Sequence, residues 1–368
     1  MSSLGNYFFA NTLTVTRWSL VILYFFVVLH KLNFDFFDPY ASCGAVLFEE
    51  IFQRSGVFSI GTVRDFYYAH EITFKVSSIY FSLIAEAIIP ILLMVKRWRN
   101  AGIVFAIIFH FLLSLHGHNG IFSFSAMLFT LFTFFWSDGV INHFYSIWDK
   151  KHKWIAYATI CGLGILISVN FSLPYFYYVL ACLIAWFIYA VLYSSIFFKA
   201  VYRHYADTEF TFVGKRKVWI TWAIPVLIIV NGLCPYLGLK TETSFSMFSN
   251  LRTEGNQTNH FFIPTSWQIF DYQKELVLIK KSNYSRLQHL DLYHGQVDVR
   301  MVKWEFIKIL NYAPENSFVD YEINGKPGYF EKVNGKITAS ELDLHMSPVL
   351  NKIFDFRLVH SDKSLCKH

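Results

Sequence analysis

Ile79-Tyr80-Phe81-Ser82-Leu83-Ile84-Ala85-Glu86-Ala87-Ile88-Ile89-Pro90-Ile91-Leu92-Leu93-Met94-Val95 carries a single charge, and Lys96-Arg97-Trp98-Arg99 follows it at once. A helix needs ~20 mostly apolar residues to cross the hydrocarbon core of a bilayer. Basic residues gather in the loops that stay in the cytoplasm. This stretch therefore reads as a membrane-spanning helix with a cytoplasmic exit. Six more apolar runs share its character, at 13–30, 101–116, 121–136, 154–170, 174–198 and 218–235. One set of connectors carries Lys96, Arg97 and Arg99, then Lys150, Lys151 and Lys153, then Lys199, Arg203, Lys215, Arg216 and Lys217. The short connectors 117–120 and 170–173 carry no Lys or Arg. The asymmetry places the amino terminus in the cytoplasm, and an odd number of spans places everything after Tyr236 on the outer face.

Composition agrees, with 54% hydrophobic and 20% aromatic residues and a mean hydropathy of +0.37. The net charge of +6 lies mostly in the connectors assigned to the cytoplasm, where it faces anionic headgroups, so nucleic acid is excluded as the partner. No small-residue cleavage site follows the first run, which is expected to remain as a signal anchor. Cys161 and Cys182 lie inside apolar runs and read as small core hydrophobes. Cys43 and Cys234 fall on the outer side, where a disulfide can survive, but their spacing does not say whether they pair. There is no CxxC and no Cys/His cluster of zinc spacing, so no metal is expected.

Two regions follow: an α-helical integral membrane bundle of about seven transmembrane helices over 1–235, and a small extramembrane α+β domain over 236–368. In the latter, strands at 318–323 and 329–333 flank Asn324-Gly325-Lys326-Pro327-Gly328, a hairpin signal. A further strand is expected at 274–279. A helix is expected at 301–310 from the spacing of Val302, Phe306, Ile309 and Leu310. The long outer connector 31–78 is rich in aromatics. Asp38-Pro39 reads as a helix start, and the mixed apolar and charged residues of 46–54 suit a helix lying in the interface and roofing a cavity reached from lipid.

Ionisable residues inside a membrane are costly and each needs a reason. Lys31 ends the first span, in His30-Lys31-Leu32-Asn33. Two readings stand side by side: a snorkelling anchor, or a desolvated lysine whose neutral amine is a usable base. Glu86 lies mid-span, too short to snorkel, and must be protonated, paired or turned to a polar cavity. His110 lies in the third span, with His116 and His118 at its outer end. At Asn119-Gly120-Ile121-Phe122-Ser123-Phe124 the chain turns back into the membrane, and Gly120 permits close backbone approach.

At these residues the chain resembles the vitamin K-dependent gamma-carboxylase family, in its bacterial branch of HTTM-type (horizontally transferred transmembrane) proteins. Three stretches carry the likeness over residues 10–260. The first is Val27-Val28-Leu29-His30-Lys31-Leu32-Asn33-Phe34-Asp35-Phe36. The second is Phe109-His110 followed by Gly120-Ile121-Phe122-Ser123-Phe124. The third is 242–252, with Ser246-Met247-Phe248-Ser249-Asn250-Leu251-Arg252. The resemblance implies a lyase-class enzyme, with reduced vitamin K or another hydroquinone as cofactor and oxygen and carbon dioxide as co-substrates. It implies Lys31 as the base that deprotonates the hydroquinone, His110 as an oxyanion donor, and carboxylation of a glutamate in a peptide or protein substrate. Glu86 joins these as a catalytic candidate, and Phe34, Gly120, Phe122 and Phe124 are the candidate cofactor-binding residues. It also implies a bacterial inner-membrane location with a periplasmic C-terminal domain. The animal carboxylase has further membrane segments before its lysine and a larger outer domain, so a partner membrane subunit is the expected source of what is missing here. Two other classes remain open: a quinone- or lipid-binding scaffold without turnover, and a transporter, which lacks the inverted repeat it would need.

Overall fold

The computed structural model describes residues 3–116, 119–137, 139–141, 175–204, 219–291, 299–340, 342–360, 363 and 366. The chain divides into two compact units. One comprises Met1–Val21, Leu47–Ala69 and Ile84–Pro225, and the other Ile22–Val46, His70–Leu83 and Val226–His368.

Helices, most of them apolar, dominate the first two thirds. They are α1 (Ser3–His30), α2 (Cys43–Arg54), α3 (Gly61–Ala69), α4 (Glu71–Met94), α5 (Arg99–Ser114), α6 (Asn119–Phe132), α7 (Tyr175–His204) and α8 (Ala223–Leu237). Three of them contain stretches long and apolar enough to cross a bilayer: Thr12–His30, Glu71–Met94 and Tyr177–Tyr202. Ile121–Phe135 and Ala223–Leu237 are apolar but shorter. The run read at 154–170 and the basic connectors at 150–153 and 215–217 lie outside the described residues.

In the first unit α6 packs between α5 and α7. Aromatic rings fill the α6–α7 contact, with Phe129 5.0 Å from Trp186 and 5.2 Å from Tyr193. At Gly102 a Cβ would lie 2.8 Å from the Leu92 Cβ, so only glycine lets α5 approach α4 this closely. Arg17, a charge inside an apolar helix that sequence reading passed over, is buried. Its Nε donates to the Phe134 carbonyl at 2.8 Å and its guanidinium lies 5.6 Å from the Phe135 ring.

Asp38-Pro39 does not start a helix. The Asp38 carboxylate accepts the Tyr40 N–H at 2.9 Å and the Asp38 carbonyl accepts the Ala41 and Ser42 N–H groups, so the pair closes a turn. The helix begins at Cys43 instead, where Ser42 Oγ accepts the Gly44 N–H at 3.2 Å as a cap.

The second unit carries a six-stranded sheet, wholly antiparallel: β1 (Leu276–Ser282), β2 (Val299–Val302), β3 (Ser317–Ile323), β4 (Lys326–Val333), β5 (Lys336–Ala339) and β6 (Val359–His360), in the order β5-β4-β3-β1-β2-β6. Helices α9 (Ser285–Asp291) and α10 (Lys303–Leu310) cover β1. Val277, Ile279, Leu287, Phe306, Leu310, Tyr321 and Phe330 form its core. The expected strand and helix shift slightly: β1 starts at Leu276, and Val299–Val302 is strand, with the helix starting at Lys303. The hairpin turns on Asn324-Gly325 alone, both at positive φ (52° and 79°), with Ile323 paired to Lys326. Two such residues form the turn whose twist matches the strands, so Lys326, Pro327 and Gly328 belong to β4. Asn334-Gly335 repeats the device between β4 and β5 (54° and 73°).

Candidate functional site

Lys31 follows the last turn of α1, its N–H bonded to the Val28 carbonyl at 3.1 Å. Its side chain is only 5% exposed. Its Nζ lies 5.3 Å from the centroid of the Phe36 ring, itself fully buried with Ala45 and Ile79. That packing holds the side chain inside the protein. Phe34 is exposed, and its ring meets Phe261 edge-on at 4.8 Å.

Asn33 makes the rest of the loop rigid. It is fully buried. Its Nδ2 donates to the His30 and Ser249 carbonyls, both at 2.7 Å, and its Oδ1 accepts from Phe36 N at 2.9 Å and Asn259 Nδ2 at 3.3 Å. Asn259 also donates to Asp35 Oδ2 and to the Asn250 carbonyl, each at 2.7 Å. Asn250 closes the far side: it accepts the Cys43 N–H at 2.7 Å and donates to the Ala41 carbonyl at 2.8 Å. Three asparagines thus fasten the segment after the first span to the segment after α8.

His260 adds a fourth fastening. Its Nε2 donates to the Leu29 carbonyl at 3.0 Å, while Nδ1 accepts the Phe262 and Ile263 N–H groups at 3.1 Å. Only the neutral imidazole can do both. Burial holds His260 below its usual range, against the opposing pull of the Leu29 bond.

The 242–252 segment is strained. Thr243, Phe245 and Phe248 adopt φ of 59°, 65° and 58°. Such left-handed conformations cost roughly 1–3 kcal/mol each for residues other than Gly or Asn. Ser244 and Ser246 both donate to the Thr241 carbonyl, at 2.6 and 2.7 Å. Arg357 donates to Ser246 Oγ at 2.9 Å and pairs with the buried Glu254 at 3.4 Å. Burial pushes the Glu242 carboxyl up, the nearby Arg357 pulls it down, and Glu254 and Asp355 raise it further.

A disulfide joins Cys43 to Cys366, with Cα atoms 4.8 Å apart. Cys234, whose pairing with Cys43 the spacing left open, is free and buried. Lys363 pairs with Asp38 and holds its carboxyl below the usual range.

The other predicted residues belong to the first unit. Glu86 on α4 is buried. His110 on α5 is buried, its ring 6.2 Å from Phe124 and 6.1 Å from Phe132, and its carbonyl accepts Ser125 Oγ at 3.2 Å. Gly120 lies in the first turn of α6, and Phe122 is buried. His116 is buried with Nε2 2.6 Å from Glu50 Oε2, and His118 lies outside the described residues. Of the predicted residues the structure thus brings His110 and Phe124 together, while the ring beside Lys31 is that of Phe36 and not Phe34. Among the described residues no group of three or more His, Cys, Asp or Glu is placed to hold a metal.

Asn33, Asn250, Asn259, His260 and Arg357 were not singled out from sequence. Their signal lies in contacts spanning up to more than two hundred residues, which no local pattern carries. No family model, no curated protein and no solved structure matches this chain.

Proposed function

We propose that this chain is a gamma-carboxylase-like membrane enzyme in which Lys31 takes a proton from a hydroquinone, reduced vitamin K or a close analogue. The carrying observation is the burial of Lys31 at the exit of the first span, its Nζ over a buried phenylalanine ring. The residues fit the group: an aromatic, lipophilic molecule suits the buried Phe36 ring beside the amine, and its acidic proton suits an amine out of bulk water. When bound, the hydroquinone supplies that proton and reducing electrons, with oxygen and carbon dioxide as co-substrates and a glutamate of a peptide or protein as acceptor.

The residues of this chain divide the remaining work. Lys31 Nζ accepts the proton, which requires its neutral amine form. Phe36 keeps water from it. Asn33 fixes the backbone on both sides of it, so the amine is presented without reorganisation. The reading includes seven spans in a bacterial inner membrane, with the amino terminus in the cytoplasm and residues 236–368 in the periplasm. The one-sided basic connectors and the Cys43–Cys366 disulfide, which persists in oxidising compartments, support that orientation.

The test is Lys31→Arg, assayed for hydroquinone-dependent oxygen uptake and quinone formation in membranes supplied with vitamin K hydroquinone. Guanidinium keeps the charge and does not deprotonate at working pH, and a positioned general base contributes roughly 100- to 10,000-fold. The variant should accumulate to wild-type levels and lose at least about 100-fold in rate. A wild-type rate in Lys31→Arg would overturn the assignment.

A further inference from the structure

The segment from Gly255 to Phe270 contains no Asp, Glu, Lys or Arg. Its stretch from His260 to Phe270 is tied at both ends to the ends of apolar helices. At one end His260 bridges to Asn33, the Phe261 N–H donates to the Leu32 carbonyl at 3.0 Å, and His260 Nε2 reaches Leu29 in the last turn of α1. At the other end the Phe270 N–H donates to the Leu237 carbonyl, the last residue of α8, at 3.1 Å. The adjoining Gly238 has φ +80°, and a Cβ there would lie 2.2 Å from the Phe270 carbonyl oxygen. Only glycine allows the strand of backbone to lie so close. The stretch between these anchors is therefore held at the depth where α1 and α8 end.

Between the anchors Ile263 turns inward and Thr265, Ser266 and Gln268 are polar, but three large apolar side chains point outward. Phe262 is 73% exposed, Trp267 53% and Ile269 71%, while the polar His260 is turned inward. Exposed aromatics in an uncharged segment are an unusual surface for a domain in water. They suit the headgroup level of a bilayer, where Trp and other amphipathic rings concentrate. The two helices that hold them also expose apolar side chains, Phe25 on α1 and Val226, Leu227 and Val230 on α8.

We infer that residues 261–270 are a membrane-inserted loop. The outer region does not stand clear of the bilayer but dips Phe262, Trp267 and Ile269 into its outer leaflet, with the lipid interface as their partner. A second copy of the chain or a soluble protein would have no reason to meet residues pinned to the ends of two apolar helices.

The experiment uses full-length protein in which Cys161, Cys182 and Cys234 are replaced by Ala. A single cysteine is placed by Phe262→Cys or by Ile269→Cys, labelled with an environment-sensitive fluorophore, and reconstituted into phosphatidylcholine vesicles. Both positions are exposed, so neither variant disturbs the packed interior. Brominated phosphatidylcholine should quench both labels strongly, aqueous iodide weakly, and the emission should shift to the blue. Dominant quenching by iodide at either site overturns the inference, as does resistance to both quenchers, which would place the loop against protein.

Discussion

Asn33→Ala tests whether one amide holds the Lys31 loop in place. The substitution removes two donors at 2.7 Å and one acceptor at 2.9 Å from a fully buried position. The Phe36 N–H is left without its partner, at about 1–3 kcal/mol, and the His30 and Ser249 carbonyls lose theirs at smaller cost, because under-satisfied carbonyls are better tolerated. A total near 3 kcal/mol, or about 150-fold in the unfolding equilibrium, is expected. The midpoint should fall by roughly 6–12 °C on the scale of a 150–250-residue unit. Asn33→Asp sharpens the test. It keeps the acceptor for Phe36 but turns a carboxylate toward the two carbonyls that the amide served. The folded state then favours the protonated carboxyl, so its folded pKa stands above the unfolded value of about 3.9. Stability should be lost as pH rises from that value and partly regained on acidification. Unfolding in mild detergent, followed by near-ultraviolet circular dichroism at pH 5 and pH 8, reads both effects. A stability of Asn33→Ala within about 0.5 kcal/mol of wild type, or no pH dependence in Asn33→Asp, would refute the reasoning.

Other consequences follow from the same contacts. His260 is held neutral by its two accepted N–H groups and by burial. The unfolded chain therefore takes up a proton below about pH 6.5 that the folded one refuses, and stability falls with pH there. His260→Gln should flatten the slope of unfolding free energy between pH 7.5 and 5, and an unchanged slope would exclude this role. Cys366→Ser should cost about 2–4 kcal/mol, with the Cys43→Ser, Cys366→Ser double variant no worse than the single. Additive losses would mean that the two do not act as one cross-link. For the orientation, a cysteine at Glu315 should react with an impermeant maleimide in spheroplasts and one at Lys151 should not, and the reverse pattern would invert the topology. The Lys31→Arg rate measurement completes the set.

Composition and periodicity alone indicated an apolar helical part followed by a small α+β domain; that its strands form one antiparallel sheet came from the fold. Burial of backbone in lipid forces unbroken apolar helices, so Ile79 to Val95 announces itself residue by residue. Asn324-Gly325 announces a hairpin because few residues adopt positive φ at both turn positions, while the second such pair, Asn334-Gly335, was not read as one. Lys31, Glu86 and His110 were legible as unusual because charge or polarity inside an apolar run stands out against its neighbours. Their surroundings were not legible. That Lys31 lies buried with its Nζ over the Phe36 ring, itself packed with Ala45 and Ile79, is a tertiary fact. Whether Asn33 is a surface residue or a four-bonded clamp depends on Ser249 and Asn259, more than two hundred residues away. Cys43 pairs with Cys366 and not with Cys234 for the same reason. Hydrophobic periodicity reports how each segment meets its solvent, lipid or water. Polar contacts between distant segments are satisfied pair by pair, leave no periodic trace, and are decided only when the chain has folded.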